Sequence, residues 1–248
     1  MTDDGAARPS RFALRRRPAP PAAANGGAAT GGAATVRRWA DRYAVAAGYA
    51  LGLVAGSAVL AARSSAGRTA LLDWASTDRA NLADHPVSAL VFSAFLAESD
   101  LLSWLALALV GLGATGRVLG AWRTLLLVTT AHLVGTLVSE GILWYRIDHG
   151  LAPPGAVHLR DVGPSYLVVA ALVAGLAYGR LPGRILAGTG FALLAPSLFG
   201  GLDRWEVAPL GHVCAIVLAL GLGAVLRFTR AGRRRYGRAG SPPVHRPG

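Results

Sequence analysis

The sequence predicts an all-α, polytopic membrane protein, a bundle of six transmembrane helices, and three observations predict it. Of its 248 residues 53% are hydrophobic and only 15% charged, a composition suited to lipid rather than to a soluble core. The apolar residues fall in long runs that approach the roughly 20 residues needed to cross a bilayer. The charges lie between and beyond those runs, with all 25 basic side chains being arginine.

Residues 1–40 contain Arg15-Arg16-Arg17 and a Pro, Ala and Gly-rich stretch without helical or strand periodicity. They are expected to form a disordered tail. A membrane domain is expected over 41–229 and a second disordered basic tail over 230–248. The first span covers residues 43–62, with Gly48, Gly52 and Gly56 on one small-residue face suited to close contact. Residues 63–85 are polar, and Trp74 among them suits an interfacial anchor. Residues 87–97 are apolar but too few to cross, which predicts a re-entrant or interface-lying segment. Further spans are expected at 101–115, 124–139, 164–178, 185–199 and 207–228. Tight turns at Arg117 to Arg123 and Arg180 to Arg184 join two pairs of them, and residues 140–162 are expected to form a mixed loop.

The charges orient the bundle. With the N-terminus in the cytoplasm, inside segments carry 19 arginines and outside loops six, while ten of the 13 acids fall outside. The positive-inside bias thus places both termini in the cytoplasm. A net charge of +12 concentrated in tails beside spans points to anionic lipid and topology, and not to nucleic acid. The single cysteine, Cys214, excludes an internal disulfide and a cysteine metal cluster.

In this topology two residues of catalytic type share a leaflet. Ser165 follows Gly163-Pro164 at the start of the fourth span, where proline suits the first helical turn and free N–H groups suit a developing anion. His212, after Gly211, opens the sixth span, and ionisable groups inside spans are costly. A serine and a histidine so placed form a candidate nucleophile and base. Ser165 alone would be an ordinary hydrogen-bonding serine of a membrane helix. His132, amid Thr129, Thr130, Thr136 and Ser139, is expected to be a packed, hydrogen-bonded histidine. Gly211, Ala215, Ala219 and Gly223 form a small face with period four, which suits close packing against Ala170, Ala171, Ala174 and Gly175.

Six spans, a Gly-x-Ser motif opening the fourth and a Gly-His motif opening the sixth resemble the rhomboid intramembrane serine proteases. The resemblance covers about residues 43–228 and extends to the turn Ala114-Thr115-Gly116-Arg117-Val118-Leu119-Gly120. It implies that Ser165 is the nucleophile, that His212 is the general base, and that residues 63–98 form a membrane-associated loop. Tyr166 replaces the usual glycine after the serine, and Val169 stands where an aromatic residue commonly packs on the histidine. Ala215 replaces the glycine of Gly-His-x-x-Gly. Asp100 and Trp104 take the positions of the His-x-x-x-Asn oxyanion motif, leaving them with Gly163 as supporting residues. The chain thus resembles a divergent, actinobacterial-type rhomboid-like protein.

That resemblance implies a serine endopeptidase that cleaves transmembrane proteins in a bacterial plasma membrane, without metal or cofactor. The alternative is a pseudoprotease that binds membrane helices without cutting them. A small transporter is a more distant reading, because no matched pair of interrupted helices is present.

Overall fold

A computed structural model describes residues 27–98 and 100–239, which form nine α-helices, two short 3-10 turns and no strand. The helices are α1 Gly27–Ala61, α2 Ser65–Ala75, α3 Arg79–Asp84, α4 Pro86–Ser93, α5 Leu101–Leu119, α6 Ala121–Asp148, α7 Ser165–Tyr178, α8 Leu181–Leu198 and α9 Val207–Ala239. The expected boundaries at residues 40 and 229 therefore fall inside α1 and α9. Tail residues 1–26 and 240–248 lie outside the described residues.

Among the described residues four helices are long and apolar enough to cross a membrane: Ala34–Ala61, Leu101–Leu119, Ala121–Asp148 and Val207–Thr229. The other two of the six expected spans coincide with α7 and α8, which are shorter or less apolar. The 14 residues of α7 rise about 21 Å, short of a hydrocarbon core of about 30 Å. Ten of those residues are buried, because α7 packs against α5, α6, α8 and α9 at the centre of the bundle. Its apolar character serves protein contact rather than lipid contact. The 18 residues of α8 are diluted by Pro182, Pro196 and three glycines, and α8 is not among the four.

The third apolar run also differs from expectation. Glu140, read as its end, is 4% exposed, and α6 continues through Leu143, Trp144 and Tyr145 to Asp148. A buried carboxyl inside the bundle does not interrupt the backbone hydrogen bonds that define a helix.

Residues 63–98 form a compact layer of short helices. Ser64 caps α2 by accepting from Gly67 N–H, and Asp78 caps α3 by accepting from Asn81 N–H. Pro86 starts α4 at a position where its missing N–H costs nothing. The Leu90 carbonyl of α4 lies 2.9 Å from His132 Nε2, partway along α6. Tyr49 of α1 donates to the Ala94 carbonyl at 2.7 Å. The segment therefore enters the bundle rather than lying on its surface. Phe95 follows and packs its ring on Gly52, so the glycine face of α1 receives this segment.

Two buried clusters meet at α7. One joins Ala46, Tyr49 and Leu53 of α1 to Ala108 and Leu112 of α5 and Val168, Ala171 and Leu172 of α7. The other joins Tyr166, Ala170 and Ala174 of α7 to Leu127 and Ala131 of α6 and Ala215 and Ala219 of α9. One cluster holds α7 from each side and fixes its head.

Candidate functional site at the head of α7

The head of α7 is anchored by its own backbone and by the loop before it. Gly163 has φ +152°, with no atom within 4 Å of the position a Cβ would take. Backbone conformation, and not crowding, thus demands glycine there. Gly163 N–H donates to the Ser93 carbonyl at 3.1 Å, and Val168 N–H to that of Pro164 at 3.0 Å. Ser165, Tyr166 and Leu167 precede that first intrahelical bond, so their amides lack intrahelical acceptors. Ser165 is the first helical residue and is half-buried.

Tyr166, next in the chain, is 3% exposed and organises the site. Its hydroxyl donates to Asp161 Oδ2 at 2.9 Å. Asp161 in turn accepts from Thr77 Oγ1, at 3.0 Å to its carbonyl and 3.3 Å to its carboxylate, and donates from its N–H to Ser76 Oγ at 3.0 Å. This chain of bonds ties the end of α2 to the head of α7. Burial pushes the Asp161 carboxyl above its ordinary range, against the lowering effect of the bonds from Tyr166 and Thr77.

The Tyr166 ring lies over Gly211, where a methyl group would intrude on the phenol. It meets the His212 ring edge-on, with centroids 5.1 Å apart and planes at 79°. The aromatic partner of His212 therefore comes from position 166, and Val169 packs into the core. The small face of α9 makes this approach close. Ala215 and Ala219 are fully buried among residues of α7, and Gly223 receives the Tyr178 ring.

His212 is 5% exposed. Its Nδ1 lies 2.9 Å from the Leu198 carbonyl, which belongs to the last residue of α8 and so lacks an intrahelical donor. A carbonyl only accepts, so Nδ1 carries the proton and Nε2 carries the lone pair. Nε2 is buried without a hydrogen-bond partner. Ser165 Oγ is therefore not bonded to it in this arrangement. The two residues come to the same end of α7 and α9 with the Tyr166 ring against the histidine.

Asp100 and Trp104 sit differently from oxyanion donors. Asp100 has φ +45° and caps α5, accepting from Ser103 N–H at 3.3 Å and from Ser103 Oγ–H at 2.5 Å. Those bonds hold its carboxyl below the ordinary range. It is exposed and an acceptor on both oxygens. Trp104 packs against the cluster between α1, α5 and α7, away from the cluster that contains Tyr166. His132 is packed and bonded, but through Leu90 and Ser93 of α4 rather than through the hydroxyls of its own helix.

Sequence reasoning missed Tyr166, Asp161 and Glu140. Gly211 beside His212 was the one available signal, since it leaves room for a ring. The bond between Thr77 and Asp161 joins residues 84 apart, which no local pattern reveals. Both Glu140 oxygens are buried without a hydrogen-bond partner.

Among the described residues no group of three or more His, Cys, Asp or Glu is placed to hold a metal ion. No curated protein and no solved structure matches the chain. A family model described as rhomboid-like protein matches residues 43–232, which takes in the helices that build the site. The chain belongs to the rhomboid-like protein family.

Proposed function

We propose that this rhomboid-like membrane protein is a serine endopeptidase acting on transmembrane proteins through Ser165 and His212. The observation that carries this reading is the His212 imidazole. A buried polar atom without a partner is costly and calls for an explanation, and Nε2 is such an atom. The Leu198 carbonyl fixes the tautomer in which that nitrogen is the base.

In the proposed reaction Ser165 Oγ closes on Nε2, since catalytic hydrogen bonds often tighten only with substrate bound. Nε2 takes the hydroxyl proton as Oγ attacks the peptide carbonyl carbon. The free first-turn amides of α7 face the developing oxyanion, a role that needs neither Asp100 nor Trp104. His212 then protonates the leaving amine, and water, deprotonated by His212, releases the acyl group. No metal or cofactor takes part. On this reading the protein lies in a bacterial plasma membrane, as the resemblance implies, and its arginine distribution supports cytoplasmic termini.

A second reading, a pseudoprotease that grips membrane helices, is favoured by one observation: Asp100, at an oxyanion position of the resemblance, is an ionised helix cap. Incubating reconstituted protein with a panel of single-span substrates separates the two. The protease reading expects fragments that disappear in Ser165→Ala; intact substrates that nonetheless co-purify with the protein would establish the second reading.

A further inference from the structure

A groove of about 670 Å³ lies between α1, α4 and α6. Its wall is almost wholly apolar. Gly48 of α1, Leu90 of α4, Leu167 of α7 and one stripe of α6 from Trp122 to Leu133 line it, with His132 at its inner end. The Nε2 atom of that histidine is already engaged by the Leu90 carbonyl. Neither the family match nor the proposed reaction uses this space.

Its dimensions select the occupant. At about 670 Å³ the groove falls in the size range of small-molecule sites. From Trp122 to His132 is ten residues, or about 15 Å of rise, half of a hydrocarbon core of about 30 Å. The groove is thus as deep as one leaflet. Trp122, 72% exposed, stands at its mouth, and exposed Trp39 stands near the same end of α1, as residues of the headgroup level do. The face of α1 that carries Ala44, Val45 and Gly48 continues, at helical spacing, through Asp41 to Arg37 and Arg38. Asp41 accepts from Ala121 N–H at 3.3 Å, which joins α1 to the start of α6 just where the groove ends. Arg37 and Arg38 are exposed beyond it.

We propose that this groove binds an anionic phospholipid, one acyl chain lying between α1 and α6 and the phosphate held by Arg37 and Arg38. The acyl chain covers Val91 and Leu125, which line the groove and are otherwise exposed. The arginines add attraction for a negatively charged headgroup near a membrane surface.

Native mass spectrometry of the full chain in non-ionic detergent, titrated with phosphatidylglycerol or phosphatidylcholine, tests this. One phosphatidylglycerol should be retained, about tenfold more tightly than phosphatidylcholine. Gly48 lines the groove and no atom lies within 4 Å of a Cβ built on it, so Gly48→Leu extends a side chain from an open position and should lower phosphatidylglycerol affinity about tenfold or more. Gly221, equally open but on α9, provides the control, and Gly221→Leu should bind as wild type. Replacing Arg37 and Arg38 by Gln should erase the preference between the two lipids. Wild-type binding by Gly48→Leu, or equal losses in Gly48→Leu and Gly221→Leu, would overturn the proposal. A benzophenone side chain placed at Val91, which lines the groove, gives a readout that does not depend on the Gly48 variant. In vesicles of equal parts of the two lipids it should yield a phosphatidylglycerol adduct. A protein adduct alone would mean that a polypeptide covers the groove and would also overturn the proposal.

Discussion

Tyr166 meets His212 edge-on, with ring centroids 5.1 Å apart, while its hydroxyl reaches away to Asp161. One side chain thus packs on the base and fastens the head of α7 to the end of α2. Its two halves are separable by mutation. Tyr166→Phe keeps the ring and removes the bond to Asp161. It should lower stability by about 1 kcal/mol, read by thermal unfolding in detergent, and leave the chemistry at Ser165 intact.

Gly211 and Gly141 make a contrasting pair. A methyl at Gly211 would press into the Tyr166 ring, whereas Gly141 has nothing within 4 Å. Gly211→Ala should therefore cost about 1–3 kcal/mol through overpacking, while Gly141→Ala, in a helix, should stabilise by about 0.5–1 kcal/mol. Unfolding curves of the two variants decide whether α9 approaches α7 as closely as described.

Asp100 is a cap and not a donor. Replacing it with alanine removes the acceptor for Ser103 N–H, so Asp100→Ala should lower the unfolding temperature. Probe labelling per folded molecule should stay unchanged. A selective loss of labelling in fully folded Asp100→Ala would return this residue to the reacting centre.

The stability of the protein should depend on pH through Asp161. Its carboxyl is raised above the ordinary value of 3.8 by burial, which outweighs the bonds from Tyr166 and Thr77. The folded state therefore binds this proton more tightly than the unfolded chain does. That contribution is fully present below the unfolded value and is lost as pH rises through the folded pKa. The difference in unfolding temperature between wild type and Asp161→Asn should accordingly shift against wild type from about pH 4 to pH 7. A difference that stays constant with pH would show that Asp161 is not strained by its burial.

The helical character of the chain and the positions of Ser165 and His212 at the heads of their helices were legible because hydropathy and helix-start residues are local signals. Apolar runs report burial without saying by what, and α7 is buried by protein. The end of α6 was misplaced because Glu140 was taken as a boundary, although the side chain turns inward and the helix continues. The surroundings of His212 were hidden for a different reason. Leu198, Tyr166 and Asp161 act on the site through tertiary contact, and Leu198 contributes only a backbone carbonyl, which any residue type offers equally.

The central claim is that Ser165 is a nucleophile activated by His212. A fluorophosphonate probe reports this without a known substrate. Purified, folded wild type should be labelled at Ser165, Ser165→Ala should not be labelled, and His212→Ala should lose labelling rate by about 10² or more, the usual contribution of a general base. Folded wild type that takes no label, or Ser165→Ala labelled as fast as wild type, would contradict the account.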